Sequence, residues 1–360
     1  MTETMLLSGN EAVARGAIAA GCRYFFGYPI TPQSDIPEFL SRELPRLGGV
    51  YLQTESETAS IYMVYGGALA GARVMTSTSS PGFSLMQEGL SYIAEMEAPA
   101  VIVNVMRLGP GIGTGGQGGQ TDYRQVTKGG GHGGYRCIVL APASAQEAFD
   151  LTQLAFHLAD KYRIAAIVLS DFMVGQTAEP VVLRRRVDPG PLPEKDWALV
   201  GKDKKGGKRS MLILGVGVHG SVAAYHQHQA DKYARVAAEE TRYETYLADD
   251  ARLLLAAYGS TSRIARRAVE LARAEGLEVG LFRPITVWPF PEAALKEAAV
   301  RAGKVLAVED SQGQFVEDVR CAVEGQAPVH FLGLWARHDP GWGGVIHPER
   351  VVEEIRSLLC

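Results

Sequence analysis

Over most of its length the chain alternates short apolar runs with longer segments whose apolar positions recur at helical spacing. Ser8 and Glu11 stand at capping-box spacing ahead of the small and apolar residues 12–20, which predicts a first helix. Residues 24–28 (Tyr-Phe-Phe-Gly-Tyr) predict a strand stopped by Pro29 and Pro32, followed by a helix at 35–44 and a strand at 50–53. The next helix, 57–70, contains Gly66 and Gly67, where another backbone is expected to pack close. A strand at 73–77, a Ser80-Pro81-Gly82 turn and a helix at 83–95 follow. Residues 100–105 (Ala-Val-Ile-Val-Asn-Val) are apolar almost throughout, the mark of a strand buried on both faces of a parallel sheet. Strand 137–140, helix 144–160 and strand 165–170 complete a doubly wound α/β domain, residues 1–180.

Residues 181–250 break this rhythm. They hold a proline-rich stretch from Pro189 to Pro193, a basic run at 202–209 that reads as a solvated loop, a short apolar run at 211–216, and a long polar stretch of helical character at 219–246. Alternation resumes in 251–360: strand 252–258, helix 262–275, strand 278–283, helix 292–301, strand 304–309, and a last strand and helix within 329–359. The fold class is therefore α/β, two doubly wound parallel-sheet domains joined by a linker.

At 360 residues, 46% apolar and 21% charged, the chain has the composition of a folded two-domain protein. Lys and Arg number 36 against 40 Asp and Glu, so there is no basic excess of the kind a phosphate backbone demands, and nucleic acid is excluded as an expected partner. No apolar stretch approaches the roughly 20 residues of a membrane span. The acidic start lacks signal-peptide character, so a cytoplasmic location is expected. Cys22, Cys137, Cys321 and Cys360 form no Cys-x-x-Cys pair, and no metal is expected on this chain. Glycine is in surplus, 41 of 360, and twelve of these lie between Gly109 and Gly134.

The run from Gly111 to Gly116 spells G-x-G-x-x-G after a buried strand, yet no helix opens on it and no acid lies at the distance a ribose needs. It reads instead as a long loop at the carboxyl end of a parallel strand, where α/β sheets place ligands. Arg107, just after that strand, is either a bidentate clamp for a carboxylate or half of a structural ion pair. Asp122 and Lys128 read equally well as solvated loop charges. Glu57 opens a helix, where a carboxylate either offsets the helix dipole or, held against a cofactor, handles a proton. Thr31, between Pro29 and Pro32, offers a hydroxyl on a rigid turn or caps the next helix. His132 stands between glycines with nothing local to bury it. His219, His226 and His228 are irregularly spaced for a metal face: on one continuous helix His228 points away from the other two.

These same residues carry a resemblance. The segments Gly27-Tyr-Pro-Ile-Thr-Pro-Gln-Ser34, Glu57-Thr-Ala-Ser-Ile61, Ala70-Gly-Ala-Arg-Val-Met-Thr-Ser-Thr-Ser-Ser-Pro-Gly-Phe-Ser-Leu-Met86 and Lys128-Gly-Gly-Gly-His-Gly133 resemble the thiamine-diphosphate-dependent 2-oxoacid:ferredoxin oxidoreductases, in the subunit with the pyrimidine-binding domain. Ala257-Tyr-Gly-Ser-Thr-Ser-Arg-Ile264, Arg283-Pro-Ile-Thr-Val-Trp-Pro-Phe290 and Glu309-Asp-Ser-Gln-Gly-Gln314 continue the likeness into a second domain similar to the transketolase carboxy-terminal domain, expected to serve assembly. Gly109-Pro-Gly-Ile-Gly113 and the ending Lys128 to Arg136 look most like the 2-ketoisovalerate (3-methyl-2-oxobutanoate) subgroup, although Gly115-Gly-Gln-Gly-Gly119 adds glycines.

The resemblance implies that Glu57 bonds N1′ of the aminopyrimidine and so activates the cofactor. It implies that Thr31, Arg107 and His132 bind substrate, and that Tyr28, Pro29 and Ile30 line the cofactor with Glu57. Without a Gly-Asp-Gly followed by a downstream Asn, Mg²⁺ and the diphosphate are expected on a partner subunit. Without clustered cysteines, 4Fe-4S clusters are expected on a ferredoxin-like subunit, with a gamma-type subunit completing the assembly. Coenzyme A is the implied acyl acceptor and ferredoxin the electron acceptor. Alternatives are a pyruvate or 2-oxoglutarate enzyme of the same family, the β-type subunit of a lipoamide-linked 2-oxoacid dehydrogenase, and a non-catalytic assembly subunit.

Overall fold

The structure, a computed structural model, describes residues 3–113, 115–183, 192–201, 215–334 and 346–359. The basic run at 202–209, most of the apolar run at 211–216 and Cys360 lie outside them. In chain order the elements are β1 (Glu3–Ser8), α1 (Gly9–Ala19), β2 (Tyr24–Gly27), α2 (Asp35–Arg46), β3 (Val50–Gln53), α3 (Glu57–Leu69), β4 (Val74–Thr78), α4 (Ser80–Glu95), β5 (Ala100–Met106), α5 (Tyr123–Thr127), β6 (Ile138–Leu140), α6 (Ala145–Tyr162), β7 (Ala165–Asp171), α7 (Phe172–Gln176) and β8 (Ala178–Leu183). After the linker come α8 (Gly215–His219), α9 (Val222–Glu240), β9 (Tyr243–Tyr246), β10 (Leu253–Ala256), α10 (Gly259–Ala274), β11 (Val279–Pro284), β12 (Thr286–Trp288), α11 (Glu292–Ala302), β13 (Val305–Val308), α12 (Phe315–Val323), β14 (Val329–Leu332) and α13 (Pro348–Leu359).

The first sheet has the order β12-β6-β7-β5-β4-β2-β3, all parallel except β12. Every residue of β4, β5 and β7 is buried, as a sheet covered on both faces requires. Apolar residues of α1, α2 and α6 pack on one face and those of α3 and α4 on the other. The second sheet has the order β14-β13-β10-β11-β9, parallel except for β9. α10 and α13 cover one of its faces and α11 and α12 the other. The α3/α4 layer and the α11/α12 layer belong to one continuous apolar cluster, joined where Tyr123, Tyr258 and Phe315 meet at ring separations of 5.1–5.7 Å. The two sheets are thus cemented by a shared core.

Several local readings change. The polar helix expected over 219–246 breaks at Gly220 and Ser221, where Ser221 caps α9, and it ends at Glu240. Tyr243, Thr245 and Tyr246 then form an edge strand on β11, because β-branched and aromatic residues suit a half-buried pleat. That break folds His219 back onto His228, with ring centroids 4.3 Å apart, so His228 does not point away. Glu97 joins them within 4.8 Å, and Lys232 Nζ lies 2.6 Å from Glu97 Oε1. Among the described residues no other backbone packs close on Gly66 or Gly67: Gly67 faces the side chains of Val74 and Phe26, and Gly66 faces open space. β12 follows β11 in sequence yet pairs with β6 of the first sheet, stitching the two sheets together.

Candidate active site

Parallel strands bring their carboxyl ends to one edge, and the edge of the first sheet gathers most of the candidate residues. β2 ends at Gly27 and delivers the turn Tyr28 to Pro32, in which Tyr28, Pro29 and Thr31 are exposed and Ile30 is half-buried. β3 delivers Glu57, β4 delivers Ser80 and β5 delivers Arg107.

Glu57 sits in the first turn of α3. Ser56 caps that helix by accepting a hydrogen bond from Ala59 N at 3.2 Å, and the dipole favours an anion there by roughly 0.3–1 kcal/mol. Its side chain is only 5% exposed, and no described residue donates a hydrogen bond to its carboxylate. A Cβ on Gly82, in the first turn of α4, would fall 2.5 Å from Glu57 Oε1 and 2.2 Å from Thr78 Oγ1. Only glycine at 82 leaves room for the carboxylate. The carboxylate keeps its acceptor oxygens open to a ligand's donor, which is the arrangement the N1′ side of an aminopyrimidine would complete. The residues present therefore fit that half of thiamine diphosphate.

Arg107 is 4% exposed. Its Nη1 donates to Thr31 O at 2.9 Å, while its buried Nε has no acceptor among the described residues. A Cβ on Gly115 would lie 3.1 Å from Nη1, so the glycine loop folds over the guanidinium. Burial pulls the Arg107 pKa down, and the charges of Asp122 and Glu57 push it back up. A buried guanidinium with an unused N–H invites a carboxylate. Thr31 does not cap α2, whose N-cap is Ser34; its carbonyl holds Arg107, and its side chain is at the surface.

His132 is placed elsewhere. Its backbone N donates to Ser91 Oγ at 2.9 Å, its ring meets Tyr92 edge-on at 5.3 Å, and Glu88 is 3.9 Å away. Ser91 is eleven residues along α4 from Ser80, roughly 16 Å at 1.5 Å per residue. The structure thus brings together Thr31, Arg107 and, across the first turn of α4, Glu57, and it leaves His132 apart from them.

Sequence reasoning missed the residues behind Arg107. Asp122 is not a solvated charge: it is 4% exposed and accepts from Ser80 Oγ at 2.6 Å, Asn104 Nδ2 at 3.2 Å and Gln125 Nε2 at 3.1 Å. Burial pushes its carboxyl up to about 6, against the lowering effect of those hydrogen bonds and of Arg107. Lys128 pairs with Asp318 of the second domain. Gln120, 1% exposed, donates to Tyr258 O at 3.0 Å and accepts from Thr261 Oγ1 at 2.9 Å and Asp310 N at 3.0 Å. The partners lie 138 to 190 residues away in sequence, so no local pattern announces them. A cavity of about 520 Å³ opens beside Asp122, lined by Ser80, Gly109–Gly111, Thr121 and Gln125 from the first domain and by Gln312, Gln314 and Leu334 from the second. The second domain therefore borders this cavity as well as packing on the first, while Glu57, Arg107 and Thr31 lie outside the cavity lining.

Elsewhere, Cys22 and Cys137 are fully buried thiols whose burial pushes them up to about 12, which leaves them protonated and inert at neutral pH. Among the described residues no helix is long and apolar enough to cross a membrane.

Comparison with known proteins places these features. The family described as pyruvate flavodoxin/ferredoxin oxidoreductase, thiamine diphosphate-binding, matches residues 15–246, and pyruvate:ferredoxin oxidoreductase core domain II matches 251–340. The chain is 46% identical over 358 residues to the ketoisovalerate oxidoreductase subunit VorB of Methanothermobacter thermautotrophicus, covering 99% of this chain and 98% of that one. It is 38% identical to the 2-oxoglutarate synthase subunit KorA of the same organism, over 99% of this chain and 100% of that one. Among solved structures, a 2-oxoglutarate:ferredoxin oxidoreductase from Magnetococcus marinus, with 2-oxoglutarate, coenzyme A and succinyl-CoA bound, superposes with a TM-score of 0.83 at 27% identity over 98% of this chain and 65% of that longer one. A split-gene transketolase matches in fold alone, with a TM-score of 0.61 at 13% identity over 98% of both chains. The chain belongs to the 2-oxoacid:ferredoxin oxidoreductase family, as a subunit carrying its thiamine-diphosphate-binding domain.

Proposed function

We propose that this subunit works in the oxidative decarboxylation of a branched-chain 2-oxoacid, 2-oxoisovalerate first, to acyl-CoA and CO2, with electrons passed to ferredoxin. One observation carries the reading. A nearly buried carboxylate, Glu57, and a buried guanidinium, Arg107, the first with no donor and the second with an unused N–H among the described residues, share the carboxyl edge of one parallel sheet. When bound, thiamine diphosphate supplies the electron sink for the bond between the keto carbon and its carboxylate. Glu57 would hold a proton between its carboxylate and N1′ of the aminopyrimidine, with Tyr28, Pro29 and Ile30 beside the ring. Arg107 would bind the substrate carboxylate, and the Thr31 carbonyl aims its guanidinium. Fixing that carboxylate places the bond to be broken, which is worth more than the contact itself. His132, about three turns away along α4, is not part of this proposal.

The diphosphate and Mg²⁺ are assigned to a partner subunit, the 4Fe-4S clusters to a ferredoxin-like subunit, and a gamma-type subunit completes the assembly. The branched-chain preference is supported by the higher identity to the ketoisovalerate relative than to the 2-oxoglutarate one. The Tyr28–Pro32 turn and Arg107 argue against a lipoamide-linked dehydrogenase. The test is the reconstituted complex assayed by viologen reduction with 2-oxoisovalerate, pyruvate and 2-oxoglutarate. The highest kcat/KM is expected for 2-oxoisovalerate, and a clear preference for either of the others refutes the substrate assignment.

A further inference from the structure

Asp122 has no task in that chemistry, yet it is a buried carboxylate next to the buried arginine. Its Oδ2 takes the Ser80 hydroxyl at 2.6 Å, and the same Ser80 oxygen lies 3.4 Å from Arg107 N as its acceptor. One hydroxyl therefore couples the Asp122 carboxylate to the Arg107 backbone. Thr121 Oγ1, one residue earlier, donates to Arg107 O at 2.9 Å and accepts from Gly109 N at 2.9 Å. The Asp122 charge reaches Arg107 through space without occupying the guanidinium fork: Nη1 is on Thr31 O, and Nε has no acceptor among the described residues. A buried guanidinium stays charged more readily with an anion nearby, and it can grip a second anion only if its N–H groups are left open. Asp122 meets both conditions.

The segment on either side of Asp122 is held from the other domain. On its N-terminal side, Gln120 N donates to Asp310 O at 2.8 Å, and Gln314 Nε2 donates to Thr121 O at 2.7 Å. On its C-terminal side, Arg124 N donates to Gln314 Oε1 at 2.9 Å, and Arg124 Nε is 2.9 Å from Glu317 Oε2. Glu309, fully buried, accepts from Ser311 Oγ at 2.8 Å and Phe315 N at 2.7 Å, which fixes the turn that carries Gln314. A Cβ on Gly259 would lie 2.9 Å from Gln120 Nε2, so glycine there lets the two domains close.

We propose that Asp122 is a positioning residue for capture of the 2-oxoacid carboxylate, acting through Ser80 and Arg107, and that the second domain sets it by gripping residues 120–124. This rests on the reading of Arg107 as the carboxylate clamp. The charged and titratable groups facing Asp122 are Arg107 at the end of β5 and Tyr258 at the end of β10; Arg124, on its own element, is engaged by Glu317. With its carboxyl up at about 6, Asp122 takes a proton on mild acidification and the hold on Arg107 weakens.

The test uses the reconstituted complex with 2-oxoisovalerate and viologen, comparing wild type with Asp122→Asn, Ser80→Ala and Arg107→Lys. Asp122→Asn should raise KM about 10-fold with kcat within about 3-fold, and Ser80→Ala, which removes only the coupling hydroxyl, should raise KM by about 3-fold. Wild-type KM should climb between about pH 7.5 and about pH 5.5, and this climb should be absent in Asp122→Asn. A KM raised by Arg107→Lys but unchanged by both other variants, with the acid climb intact in Asp122→Asn, overturns this inference and leaves the reading of Arg107 standing. An unchanged KM in Arg107→Lys overturns both.

Discussion

The glycine-rich segment 109–134 contains two kinds of glycine, and they have different neighbours. At Gly111, Gly113, Gly116, Gly133 and Gly134 an added Cβ would meet nothing within 4 Å. At Gly119 it would come within 2.9 Å of Leu108 Cα, and at Gly131 within 2.0 Å of Ser91 Oγ and 2.3 Å of Gln87 O. Between these two tight points lies the short helix α5, with Tyr123 wholly buried and its hydroxyl donating to Asp318 Oδ2 at 2.7 Å. One composition therefore serves two purposes, open positions on both flanks and a clamped stretch between them that presents Asp122.

The comparison can be broken most forcefully at its tightest point. Gly131→Ala must push the segment off α4, and a loss of about 3 kcal/mol is expected in urea denaturation of the full chain. A loss below about 0.5 kcal/mol would mean that this stretch is not clamped.

A similar magnitude attaches to Asp122, with the opposite sign. Its folded pKa is raised from 3.8 to about 6, so the neutral form is favoured in the folded state. The stabilisation that this protonation brings is full below about pH 4 and is lost as pH rises through about 6, on the order of 3 kcal/mol. Asp122→Asn should therefore be more stable than wild type at about pH 7.5, with the gap closing as pH falls towards 4. Urea melts at both pH values check this, and a gap independent of pH contradicts it. A variant that gains stability while losing substrate affinity would mark Asp122 as kept for function.

Gln120→Ala leaves Asp310 N and the Thr261 hydroxyl without their acceptor inside the domain interface, for an expected loss of about 2 kcal/mol. A loss concentrated in an early separate transition of one domain would sharpen the picture of Gln120 as the pin between them. The smallest effect is expected for Gly113→Ala on the open stretch, within about 0.5 kcal/mol in stability. A large fall in turnover with stability unchanged would show that substrate or a partner subunit approaches that backbone.

Much of this architecture is legible in the sequence because it is periodic. The valine-rich β5 and the amphipathic helices declare themselves by spacing, while Glu57, Thr31 and Arg107 become candidates only through the resemblance that the segments around them carry. What is hidden has no period. β9 and β12, of four and three residues, are too short to show alternation, and each is defined by the edge it joins. Asp122 and Lys128 read as loop charges because the residues that bury or pair them, Gln125 apart, lie on other segments, with Asp318 190 residues downstream. The buried Gln120 and the half-buried Gln314 carry no signal of their own, since an amide in a polar loop is ordinarily solvated. One hint was available: Gly82, two residues into a helix, where glycine is unfavourable unless something occupies the space of its side chain. Here that something is the Glu57 carboxylate.

The central claim, that this sheet edge activates the cofactor, is tested most directly by Glu57→Gln in the reconstituted complex, with subunit assembly measured alongside 2-oxoacid-dependent viologen reduction. The same side-chain volume without the carboxylate should leave the complex assembled and abolish turnover almost completely. Undiminished turnover in that variant would contradict the account.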